Sequence, residues 1–64
     1  MKETELWNRL QHHLGSGYYR VWADEFSLAD LDNQTVAQAL AAGVACKTIW
    51  RAVWEALELP ARER

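Results

Sequence analysis

The sequence predicts an all-α domain: a compact bundle of three to four short helices, with a helix-turn-helix-like corner between the last two. Three observations carry this expectation. Apolar residues recur at helical spacing along the chain, and no stretch alternates cleanly with period two as a half-buried strand would. Gly15, Gly43 and the Asp30/Asp32/Asn33 cluster punctuate the helical runs. Thr35 and Gln38 stand at the spacing of a capping box, which marks a helix start.

The first helix is expected to open at Thr4, whose hydroxyl can accept from a free first-turn amide. Leu6, Leu10, His13 and Leu14 form its inner stripe, flanked by Trp7, and Gly15 stops it in a left-handed cap. Ser16 offers the next N-cap. Tyr18, Trp22 and Phe26 step by four along the second helix, and Val21 and Leu28 widen that face. The segment "LADLDNQ" then breaks the pattern, because Asp and Asn side chains bond to nearby backbone and favour turns.

A short third helix follows the capping box through Ala42, and Gly43 ends it. The last helix is expected from about Ala45 to Glu58, stopped ahead of Pro60. Around that helix, Cys46, Ile49, Trp50, Val53, Trp54, Ala56 and Leu57 cover an arc of about 160°, wider than a minimal core stripe. Residues 1–64 form a single domain with frayed ends at about 1–3 and 61–64, the second being the charged tail "ARER".

With 64 residues the chain sits near the lower size limit for a core, since such a domain buries only about 60% of its unfolded surface. Half of the residues are hydrophobic and four are tryptophans, each able to hide roughly 150–250 Å². Stability of about 3–5 kcal/mol is expected. The single Cys46 cannot form an internal disulfide, the opening "MKETELWNRL" lacks an apolar signal-peptide region, and no apolar run reaches membrane-spanning length. A cytoplasmic setting without membrane attachment is therefore expected.

The formal charge of −2 argues against a protein that coats nucleic acid, because nonspecific binding rests on neutralising phosphates. The charge is uneven. Residues 1–33 hold Lys2, Arg9 and Arg20 against six acids, whereas residues 34–64 hold Lys47, Arg51, Arg62 and Arg64 against Glu55, Glu58 and Glu63. No acid lies between Gln34 and Trp54.

Four stretches, "TELWNRL", "LGSGYYRVWADEF", "QTVAQALAAGV" and "WRAVWEALELPAR", span about Thr4 to Arg62. In their order and spacing the chain resembles the Domain of Unknown Function 3046 family. The resemblance implies a compact helical actinobacterial protein with no established activity, often encoded near recombination genes. It carries no functional residue over. This chain departs from the family's pattern at Glu3, where an apolar residue is common, and at Ala45, where an acidic N-cap is common. Trp54 replaces a smaller residue, often cysteine. Alanine at the N-cap should weaken the last helix by roughly 1 kcal/mol.

Two binding classes compete. Ala39, Gly43, Val44 and Ile49 fit the bipartite packing pattern of a helix-turn-helix. In a DNA reader, residues near the second helix's start reach base edges; here those are Cys46, Lys47, Thr48 and Arg51. Against this, Glu55 and Glu58 share the polar side, and Arg51 can pair with Glu55 one turn on. The other class is a protein interface. Seven aromatic rings are too many for so small a body to bury deeply; Trp22, Trp50 and Phe26 are expected in the core. Tyr19 and Trp54, off or at the edge of the apolar stripes, are the candidate interface aromatics, because exposed aromatics concentrate binding energy.

Other chemistries find little footing. His12 and His13 point about 100° apart on a helix and cannot easily share a metal ion. Counting Asp30 as the start of a calcium loop puts Thr35 where glycine belongs and Ala41 where a bidentate Glu belongs. Cys46, on the apolar arc without a base, reads as a packed thiol rather than a nucleophile. Ser16 and Ser27 read as a cap and a helix-surface residue. A chain this short has little room for a ligand pocket. The expectation is a non-enzymatic module without cofactor or small-molecule substrate, binding another protein, with helix-turn-helix DNA binding as the alternative.

Overall fold

The structure, a computed structural model, describes residues 1–63. Among them are four helices: α1 (Glu3–Leu14), α2 (Tyr19–Glu25), α3 (Val36–Ala41) and α4 (Cys46–Ala56). Two single-turn 3₁₀ segments accompany them, Ala29–Leu31 and Ala61–Glu63. The all-α bundle of short helices expected from periodicity is the fold. No described helix is long and apolar enough to cross a membrane.

Helix α4 is the centre of the packing. It lies against α1, α3 and the Ala29–Leu31 turn, while α2 packs on α1 and α3. Leu6 and Leu10 of α1, Trp22 and Ala23 of α2, and Val36 and Ala39 of α3 meet Ile49, Trp50, Ala52 and Val53 of α4 in one core. Leu28 and Leu31 close it from the connecting turn. Because α4 has neighbours on three sides, its buried face is displaced from the expected arc. Ala56, expected on the apolar arc, is exposed, and Ala52, which lies outside that arc, is buried.

The helix starts differ in quality. Thr35 and Gln38 do form the capping box: the Gln38 amide donates to Thr35 Oγ1 at 3.1 Å, and the Thr35 amide to Gln38 Oε1 at 2.9 Å. Two amides that would otherwise lack partners are thereby satisfied. Ala45 caps α4 without any side-chain hydrogen bond. Thr4 is not the cap of α1; that place is taken by Lys2, and the helix already includes Glu3. Glu3 and Glu5 favour this earlier start by placing negative charge in the first turn. Glu3 also accepts the Trp7 indole N–H at 3.2 Å. Ser16 is not the cap of α2 either. The carbonyl of Gly15 accepts from Tyr18 and Tyr19, so a turn runs through 15–18 and Tyr18 becomes the cap.

Helices α3 and α4 both end in a Schellman motif, in which the residue after the cap turns left-handed. After α3, Gly43 (φ 86°) lets the Val44 amide reach the Ala39 carbonyl and its own amide reach Leu40. After α4 the same place is held by Glu58 (φ 53°), with Leu59 bonding to Trp54. This is why α4 ends at Ala56 rather than continuing to Glu58. Gly15 also has positive φ, but with ψ 151° it is not in the left-handed helical region expected of it.

The tail expected to fray over 61–64 is, over 61–63, a turn fastened to α4: Trp50 donates its indole N–H to the Glu63 carbonyl at 2.9 Å. Arg64 lies outside the described residues.

Candidate functional site

Two surfaces carry the residues of interest. The first runs along the outer side of α4. Thr48, Arg51 and Trp54 line an open depression of about 200 Å³ together with Asp30, Ala52 and Glu55. A neighbouring depression of about 210 Å³ shares Asp30, Ala52 and Glu55 and adds Leu28, Ala29 and Ala56. Each is smaller than the roughly 300–1,000 Å³ of typical ligand pockets. Lys47, Thr48 and Arg51 are all exposed on the first turns of α4, and Lys47 lines neither depression.

The electrostatics here are mixed. Among the described residues no ion pair joins Arg51 to Glu55, so the expected pairing along the helix is not formed. Asp30, delivered by the Ala29–Leu31 turn, and Glu55 place two carboxylates beside Arg51. A phosphate approaching this depression meets more negative than positive charge. The acid-free interval from Gln34 to Trp54 is thus closed over in space by Asp30, which no local reading of that interval contains.

The second surface is on α2. Tyr18, Val21 and Phe26 are 53%, 47% and 45% exposed. Val21 and Phe26 were expected to pack inward, and both face solvent. A helix of seven residues buries only one side, and Trp22 and Ala23 occupy it. Phe26 follows the last helical residue in extended conformation (φ −85°, ψ 115°). Its ring therefore leaves the helical stripe and stacks on the outer side of Trp22, centroids 4.9 Å apart and planes 13° from parallel. Asp24 and Glu25, also exposed, adjoin these three side chains along the chain.

Tyr19 and Trp54, the expected interface aromatics, are both half-buried and held by different neighbours. Tyr19 meets Trp7 edge-on at 6.0 Å. Arg20 covers both rings at 5.4 and 5.7 Å, and its Nε donates to the Tyr19 hydroxyl at 3.1 Å. Trp54 donates its indole N–H to the Pro60 carbonyl at 2.8 Å. The more open aromatics are Tyr18 and Phe26. The signal in the sequence was the shortness of the run between Gly17 and Ser27, too short to turn every apolar residue inward.

The remaining candidates find structural places. Cys46 is half-buried against the core at the start of α4. The rings of His12 and His13 stand edge-to-face at 5.0 Å. Among the described residues, no three His, Cys, Asp or Glu side chains are arranged to hold a metal ion.

A family model described as "Protein of unknown function (DUF3046)" matches residues 1–62. The chain belongs to the DUF3046 family. Neither a curated protein nor a solved structure matches the chain. The match covers nearly the whole DUF3046 chain and leaves its role to the surfaces themselves.

Proposed function

We propose that this DUF3046 chain is a non-enzymatic cytoplasmic module that binds another protein through the outer face of α2. One observation supports this most: three large apolar side chains, Tyr18, Val21 and Phe26, stand about half exposed within nine residues of chain. Scattered exposed apolar residues are ordinary, but a clustered set on one short element is a mark of an interaction surface. Asp24 and Glu25 beside it favour a partner segment that is apolar and flanked by Lys or Arg, since complementary charge speeds encounter and fixes register. Tyr19 and Trp54 become supports rather than anchors in this reading, because each is already engaged within the chain.

DNA binding through Lys47, Thr48 and Arg51 is the reading this one displaces. Asp30 and Glu55 line the same depression as Thr48 and Arg51 and oppose a phosphate backbone.

Site-specific photo-crosslinking in cells tests the proposal. A photoreactive residue at position 21 is expected to give a discrete adduct with one protein, reduced at least tenfold by Phe26→Ser. The same residue at position 47 is expected to give none. Adducts to nucleic acid from position 47, with none from position 21, would move the function to α4.

A further inference from the structure

The turn Ala61–Glu63 does more than follow α4. Trp50 and Trp54 stand one helical turn apart on α4 and aim their indole N–H groups the same way. They donate to the carbonyls of Glu63 at 2.9 Å and Pro60 at 2.8 Å. An i, i+4 pair of donors thus reads a pair of carbonyls three residues apart. The Glu63 carboxylate reaches back to α1, where His13 Nε2 lies 3.4 Å from Glu63 Oε2. His13 stacks on the Trp50 ring (centroids 5.8 Å, planes 29° apart), and the Arg9 guanidinium sits 5.4 Å over that ring. His12 is the other titratable group beside His13.

We infer that Pro60–Glu63 is a strap seated in an aromatic cradle built by Trp50, Trp54 and His13, that it opens as a local unit, and that the uncovered cradle fits a peptide turn from another chain that presents one carboxylate. The strap's own contacts define that chemistry: two backbone carbonyls for the indoles and a carboxylate beside His13, while Arg9, over the Trp50 ring, is paired with Glu5 at 2.8 Å. Opening has a natural hinge. Glu58 already has positive φ and Leu59 is packed against the core, so the chain is anchored up to Leu59; beyond it, among the described residues, two indole hydrogen bonds and the His13–Glu63 contact fasten the strap. Segments with few buried apolar contacts open at a small fraction of the global unfolding free energy. The strap belongs to α4 and α1, so this inference stands apart from the α2 face.

Hydrogen exchange of the full chain, followed by NMR at the indole N–H groups, tests it. After correction for intrinsic rates, the Trp50 and Trp54 indoles are expected to exchange at least ~100-fold faster than the Val53 amide, as local opening allows. Glu63→Ala should raise the Trp50 indole rate a further severalfold and leave Val53 unchanged. Acetyl-LPARER-amide at millimolar concentration should slow exchange again in that variant, whereas acetyl-LPARAR-amide should not. Indoles exchanging in step with Val53 would overturn the strap. No slowing by the Glu-bearing peptide, or equal slowing by both peptides, would overturn the cradle's fit to a carboxylate-bearing turn.

Discussion

Phe26 lies flat against Trp22, with ring centroids 4.9 Å apart, yet Trp22 is buried and Phe26 is 45% exposed. One ring is core and the other is surface, although they sit four residues apart in what reads as a single stripe. Removing the outer ring should therefore separate binding from folding. Phe26→Ser is expected to cost about 0.5–1.5 kcal/mol, the scale of an aromatic pair, by urea denaturation. It should also reduce the adduct formed from position 21 at least tenfold.

Thr35→Ala removes one half of the capping box and leaves the Gln38 amide without its acceptor. Losses of about 1 kcal/mol are usual for such caps. The cost should exceed that of Gln38→Ala, because Thr35 is also the one buried polar residue (5% exposed) among those described. Denaturation of the two single variants checks the order.

Glu58 and Gly43 occupy equivalent left-handed places with opposite side-chain fitness. Glu58→Gly should stabilise the protein by about 0.5–1 kcal/mol, since glycine accepts this conformation without a Cβ penalty. Gly43→Ala should destabilise it by a similar amount. An added Cβ at Gly43 meets no atom within 4 Å, so the penalty there comes from φ = 86° alone. Thermal unfolding of both variants should show shifts of opposite sign.

Leu10 is fully buried between α1 and its neighbours. Its replacement by alanine should cost about 2–5 kcal/mol. Against the ~3–5 kcal/mol expected for a core this small, that removes much or all of the stability, which urea denaturation followed by circular dichroism at 25 °C would register.

Much of the fold was legible because its signals are local. The capping box, the Gly43 turn, the stripe of α1 and the Ile49, Trp50 and Val53 part of the α4 stripe depend on residues three or four apart, and the structure reproduces them. The misread features depend on distant partners. Ala52 is buried because the Ala29–Leu31 turn folds over it. Asp30 meets Arg51 and Glu55 only in three dimensions. Residues 60–63 are fastened because two tryptophan N–H groups find acceptors in the Pro60 and Glu63 carbonyls, which "ARER" does not advertise. Phe26 left the core because α2 ends one residue before it, a boundary that periodicity alone places poorly.

The central claim is that α2, not α4, meets the partner. The most direct measurement is amide NMR of the labelled full chain, titrated with the purified protein recovered from the position-21 adduct. Shifts concentrated in residues 18–26, persisting at moderate salt and lost in Phe26→Ser, are the predicted result. Shifts confined to residues 46–51, or none along α2, would contradict it.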